Sequence, residues 1–273
     1  MDDYRVVNRE NWDERVAAHA ASPGYKLAEF QADPEFISDV VRFDLPRLGD
    51  IAGLRGVHLQ CHIGTDTVSL ARLGARMSGL DFSGPAVAQA QSFADGLGLE
   101  VDFHQADVYD AVEVLGAAAY DLVFTGIGAL GWLPSIDKWA ATVSGLLKPG
   151  GRLFIREGHP MLWSLDDATE DLAVNYPYFE TQEPMVFDEG GTYVETDTEF
   201  QHNVTHEWNH GLGEIITVLI EHGLQLTAFE EHDSAPWVPL PGKMTKDPDF
   251  DEWRLTDRPE RLPCTYTLQA VKR

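Results

Sequence analysis

GVHLQCHIGTDT, Gly56 to Thr67, decides the fold. Its first half is a short apolar run of strand character and its second a polar turn, and TVSLARLGA from Thr67 to Ala75 continues it at helical spacing. RMSGLDF (Arg76–Phe82) then reads as a second strand and SGPAVAQAQSFADGLG (Ser83–Gly98) as a second helix. EVDFHQAD (Glu100–Asp107), YDLVFTG (Tyr120–Gly126) and GRLFIREG (Gly151–Gly158) supply third, fourth and fifth strands. Short apolar strands alternating with helices predict a parallel sheet covered on both faces, with ligands at the carboxyl ends of its strands.

The rest of the chain frames this core. RENWDERVAAHAAS places Trp12, Val16 and His19 or Ala20 on one helix face, and Pro23-Gly24 ends it. A second leading helix is expected over Pro34–Leu48, with Asp33 as its N-cap. After Gly158 the rhythm breaks, and the aromatic and acidic stretch from His159 to Thr205 reads as an insertion containing a hairpin around Gly190-Gly191. THEWNHGLGEIITVLIEHG (Thr205–Gly223) is expected as a helix, followed by strands LQLTAFEEHD and TYTLQAVKR, with an irregular Pro-rich segment between them. The expected architecture is α/β: a Rossmann-like, seven-stranded, mostly parallel sheet with an antiparallel last strand and helices on both faces. Residues 1–48 form an N-terminal helical lid and residues 49–273 the main domain, with the insertion at about 159–205.

Composition narrows the partners. With 20 Lys and Arg against 45 Asp and Glu in 273 residues, the net charge of -25 repels phosphate backbones and anionic lipid, so neither nucleic acid nor membrane is an expected partner. Two distant cysteines, Cys61 and Cys264, suit neither a disulfide framework nor a metal site, and no metal is expected. The charged start MDDYRVVNRENWDERV lacks the apolar stretch of a signal peptide, and the expected location is cytoplasmic. Oligomeric state is not legible.

Four strings carry a resemblance: LLKPGGRLFIRE (Leu146–Glu157), GLDFS (Gly79–Ser83), HQADVYD (His104–Asp110) and YDLVFTGIGALGWLP (Tyr120–Pro134). In this order, over roughly residues 50 to 160, the chain resembles class I S-adenosylmethionine-dependent methyltransferases of the bacterial small-molecule type. That implies S-adenosyl-L-methionine as cofactor, with its ribose on Asp81 beside Phe82, its adenine at Asp107 and the Val108 amide, Trp132 over the adenine or at the pocket rim, and Gly126 among the cofactor-binding residues. The family's first motif, acid-x-Gly-x-Gly-x-Gly, falls on Gln60 to Asp66, where Gly64 alone is kept. Gln60 then orients the cofactor's ammonium group without a charge of its own, His62 lines the methionine end, and Thr65 and Asp66 open the following helix, Asp66 as a cap. Gly64 is expected to let the backbone approach the cofactor. Tyr25 of the leading helices is expected over the cofactor. A nicotinamide-binding turn, G-x-G-x-x-G, would need glycines at His62 and Thr67, and two strands close the chain where that reading requires a substrate half.

Candidates for acid/base work are Glu157 and His159 after the fifth strand, and His206 and Glu207, with His206 and His210 one helical turn apart. A metal held by His206 and His210 would lack a third ligand. Aromatic residues near the expected mouth favour a flat small-molecule acceptor, such as an indole-like, amine or amino-acid-derived metabolite. Methylation of a protein or peptide, and a cofactor-binding regulatory protein without catalysis, stand as alternatives.

Overall fold

The computed structural model describes residues 4–248 and 251–273. Three helices lead in: α1 (Tyr4–Ala21), α2 (Leu27–Ala32) and α3 (Asp39–Leu48). In place of the single helix expected over Pro34–Leu48, Asp33 closes α2, and its side chain accepts the Glu35 N–H at 2.9 Å. Ser38 starts α3 by accepting the Val41 N–H. Pro34 and Glu35 form a turn there, so the helix starts from Ser38 instead.

The core alternates strand and helix: β1 (Arg55–Leu59), α4 (Thr65–Arg72), β2 (Arg76–Asp81), α5 (Gly84–Gly96), β3 (Asp102–Gln105), α6 (Ala111–Leu115), β4 (Tyr120–Thr125), α7 (Ile136–Leu146) and β5 (Leu147–Gly158). α8 (Pro160–Trp163) and the antiparallel pair β6 (Met185–Asp188) and β7 (Val204–Glu207) follow, then α9 (Leu212–Glu221) and β8 (Leu224–His232). β9 (Ser234–Ala235), β10 (Met244–Lys246) and β11 (Trp253–Leu255) form a small second sheet in the segment expected to be irregular, and β12 (Thr265–Lys272) closes the chain.

The main sheet has seven strands in the order β3-β2-β1-β4-β5-β12-β8. β1 to β5 are mutually parallel, and β12 runs antiparallel to both β5 and β8, as expected. Strand order reverses between β1 and β4, the position at which such sheets open a crevice for ligands. Successive residues point to opposite faces, and both faces are apolar. Val57, Leu59, Leu80, Val123 and Ile155 pack with Trp139 and Leu219 on one side. Met77, Leu122, Phe124 and Phe154 pack with Val41, Val68 and Phe93 on the other.

The helix expected over Thr205–Gly223 is corrected. Thr205 to Glu207 pair with β6, Phe187 opposite Thr205 and Met185 opposite Glu207. α9 begins only after Gly211, whose N–H is held by the Glu214 carboxylate at 2.7 Å. His206 and His210 are therefore not helical neighbours.

Arg156 of β5 ties the C-terminal segment to the sheet. Fully buried, it donates to both carboxylate oxygens of Glu252 at 3.1 and 2.9 Å, and its guanidinium lies 3.6 Å from the Phe43 ring centroid. Arg156→Ala strands a buried carboxylate, so urea unfolding should show a loss of about 3–5 kcal/mol. In the double variant with Glu252→Gln the loss should be smaller than the sum of the single losses. Strict additivity would show that the pair is not coupled.

Candidate functional site

The turn after β1 keeps the backbone of a glycine-rich loop with side chains in place of glycines. Gln60, His62 and Gly64 alternate in the left-handed region, at φ 56°, 49° and 81°. For a residue with a Cβ this conformation costs on the order of 1–2 kcal/mol, so something must hold it. The holder is Asp81, at the end of β2. One carboxylate oxygen accepts the His62 N–H at 2.8 Å and the other the Ser83 N–H at 2.9 Å. Burial raises the Asp81 pKa to about 6, the backbone donors offsetting part of that rise. Ser83 caps α5 and donates to Asp13 of α1 at 2.5 Å, so the leading helix docks on the same corner.

At Gly64 the absence of a Cβ also serves packing. A Cβ there would lie 2.9 Å from Ala90 and from Phe103, so its absence serves the packing of α5 and β3 against the turn. Thr65 opens α4 and is buried. Asp66 does not cap: no side chain caps α4, and the Asp66 carboxyl instead meets Ser38 and faces Tyr25 and Tyr193, with burial pushing its pKa up.

Across the turn, Gln60 donates through Nε2 to the Ala129 carbonyl at 2.8 Å, while its Oε1 is buried without a hydrogen-bond partner. A buried amide oxygen with no donor is costly, and a cationic ammonium group is a donor suited to it. Each Asp81 oxygen keeps a further acceptor site, which suits two ribose hydroxyls. These residues fit an adenosyl amino acid. Phe82 lends its carbonyl to Gln105 at 3.2 Å, and Asp107 accepts the Tyr109 N–H at 2.9 Å, fixing the short turn that carries the buried Val108. Gly126 follows β4, where a Cβ would lie 3.2 Å from His58 Nε2.

Of the acid/base candidates, Glu157 and His159 spend their side chains on the fold, whereas His206 is held through its backbone. Glu157 accepts the N–H groups of Gly128, Ala129, Leu130 and Gly158 at 2.5 to 2.9 Å. Four donors use all the acceptor sites of one carboxylate, so Glu157 anchors the loop after β4. His159 caps α8 through Nδ1 to the Met161 N–H at 3.0 Å and meets Glu231 through Nε2 at 2.9 Å. His206 is gripped through its backbone, its N–H donated to Asn8 Oδ1 and its carbonyl accepting from Asn8 Nδ2, both at 2.8 Å. Glu207 accepts the Thr205 hydroxyl at 2.7 Å, and burial raises its pKa. His210 bonds Glu180 and the carbonyls of Leu130 and Leu133.

The insertion and α1 make one cover. Asn11 and Arg15 donate to the His202 carbonyl at 2.9 and 3.0 Å, and Arg15 also reaches the Gly191 carbonyl. Trp12 meets Trp132 and His62 edge-on at 5.2 Å, and Tyr25 hydrogen-bonds Tyr193. Tyr193 had no sequence signal, being an exposed aromatic in a stretch without period. Trp12 and His19 did share one helix face, seven residues apart.

A sheet with five parallel strands, its crevice between β1 and β4, and an acid closing β2 defines a Rossmann-like α/β fold. Residues 57–153 match the model of a methyltransferase domain. A ubiquinone biosynthesis O-methyltransferase of Nitrosococcus oceani is 34% identical over 104 residues, which are 38% of this chain and 43% of that protein. The chain thus spans less than half the length of such relatives. A putative S-adenosylmethionine dependent methyltransferase from Listeria monocytogenes superposes with a TM-score of 0.59 at 19% identity, covering 86% of this chain and 97% of that one. A geranyl diphosphate C-methyltransferase from Streptomyces coelicolor A3(2), solved with S-adenosyl-L-homocysteine, superposes at 0.55 with 13% identity, covering 85% and 78%. Residues 57–153 thus match a methyltransferase domain, and the whole fold is similar to that of S-adenosylmethionine-dependent methyltransferases.

Burial also holds two site-flanking imidazoles neutral: the pKa falls to about 4 for His19 and about 3 for His58. In the unfolded chain each titrates near its ordinary value of about 6.5, so below that pH the unfolded state binds more protons and stability falls as pH falls. From pH 7 to pH 5 each should contribute a loss of about 1–2 kcal/mol. His58→Gln should therefore flatten the acid slope of the urea-unfolding free energy. An unchanged slope would show His58 to be charged in the native state.

Proposed function

We propose that the protein transfers a methyl group from S-adenosylmethionine to a small-molecule acceptor enclosed beneath α1 and the insertion. The observation that carries this is the β1 turn: a left-handed backbone pinned to Asp81, with Gln60 Oε1 buried and unpartnered beside it. Gln60 holds the amino-acid end, and Asp81 and Phe82 hold the ribose. Asp107 and Val108 flank the adenine, Gly126 and Trp132 line the rim, and His62, Gly64 and Thr65 shape the turn. When bound, the cofactor supplies an electrophilic methyl on sulfonium sulfur. The chain positions the acceptor for in-line attack and excludes water, which is where binding energy counts.

The cover favours a small acceptor over a peptide, because Arg15, Asn8 and Asn11 lock α1 to the insertion through backbone carbonyls instead of leaving a groove between them. The named activity of the Nitrosococcus relative points to oxygen as the atom methylated.

Labelled methyl from S-adenosylmethionine, offered to a panel of phenols, amines and carboxylic acids, should appear in the small-molecule fraction. Label confined to basic peptides would favour macromolecular methylation, and cofactor binding without transfer a regulatory role. The ionised Asp81 accepts from hydroxyls and the protonated acid does so poorly, so calorimetric affinity for S-adenosylhomocysteine should fall as pH drops through about 6. Asp81→Asn should weaken binding by about 10-fold or more and remove that pH dependence. Unchanged affinity would overturn the ribose assignment.

A further inference from the structure

His62, His19 and Thr192 form a continuous hydrogen-bonded line from the β1 turn to the outer face of the cover. His62 Nε2 and His19 Nδ1 meet at 2.8 Å, and His19 Nε2 and the Thr192 hydroxyl at 2.6 Å. Each element of the site gives one member: the turn, the leading helix and the insertion. His62 is half-buried, and its Nδ1 makes no hydrogen bond among the described residues, which leaves it as the inner end of the line. His19 is fully buried and Thr192 half-buried at the outer end. The groups facing His19 are Arg15 and Trp12 on its own helix, Tyr25 behind α1, His62 on the turn, and Thr192 and Tyr193 on the insertion. No carboxylate hydrogen-bonds either imidazole among the described residues, so neither ring is ion-paired and neither traps a proton.

Resting on the methyl-transfer reading above, we propose that His62, His19 and Thr192 are a proton relay, and that the acceptor is accordingly a hydroxyl-bearing aromatic compound, a phenol. An acceptor with no proton to lose needs no such line. A flat ring suits the edge-on indoles of Trp12 and Trp132 beside His62. In the step, the oxygen's electron pair forms the new O–CH3 bond while the O–H bond breaks, its proton going to His62 Nδ1. The electrons of the broken C–S bond stay on sulfur, which departs as a neutral thioether. His62 passes the proton on its Nε2 to His19 Nδ1, His19 passes that on its Nε2 to the Thr192 hydroxyl, and Thr192 releases one to water. One proton leaves per methyl transferred.

His62→Gly and Thr192→Val test the relay. Glycine suits the left-handed backbone at position 62 better than histidine does, and valine matches threonine in shape, so both variants should fold. Two probes are used at about pH 8: catechol, which must lose a proton, and 4-nitrocatechol, which is already ionised. Relative to the wild type, the ratio of kcat on catechol to kcat on 4-nitrocatechol should fall about 100-fold in His62→Gly and about 10-fold in Thr192→Val. Thr192→Ser should restore catechol turnover. Equal losses on both phenols, no loss on catechol, or a wild-type protein that methylates amines or carboxylic acids but neither phenol would overturn the relay while leaving methyl transfer standing. A wild-type protein that fails to bind S-adenosylhomocysteine would overturn both.

Discussion

The bond from the His62 N–H to the Asp81 carboxylate, 2.8 Å long, is the constraint on which the site depends. It spans the ends of β1 and β2 and holds the chain in a path that most sequences can follow only with glycines. Two non-glycine residues in left-handed conformation cost a few kcal/mol between them, and a buried charge-assisted bond is of the size that offsets such strain. The same carboxylate, through Ser83, fixes the start of α5 and the landing point of α1. One acid thus sets the turn, a helix N-terminus and the seat of the cover.

From that corner the cover is built by polar contacts to backbone. Asn11 and Arg15 take a carbonyl of the insertion and Asn8 one of β7 at its end, so α1 is fastened to the insertion through backbone groups. The His62 ring joins the turn to the cover through His19. The substitutions that make the turn look degraded are the ones that connect it to the rest of the site.

The sheet, its order of strands and helices, and the acid at the end of β2 were legible because apolar period and a run of short elements determine them. Asp33 and Ser38 both carry the signature of a helix cap, and only the local turn at Pro34 decides between them. His206 to Gly211 misled because four polar residues about one turn apart fit a helix as well as a strand end, and pairing with β6, far upstream, settles it. Glu157 looked like a catalytic acid, since a carboxylate that binds four backbone amides cannot be told in sequence from one that faces a substrate. Tyr193 and Thr192 carry no periodic signal at all, and their place is set by contacts to residues about 170 positions away.

A crystal structure of the protein with S-adenosylhomocysteine tests the account most directly. It should show both ribose hydroxyls on the Asp81 carboxylate and the ammonium group on Gln60 Oε1, with Gln60 and His62 still left-handed. A ligand bound away from the β1 turn, or one that leaves Gln60 Oε1 without a donor, would contradict it.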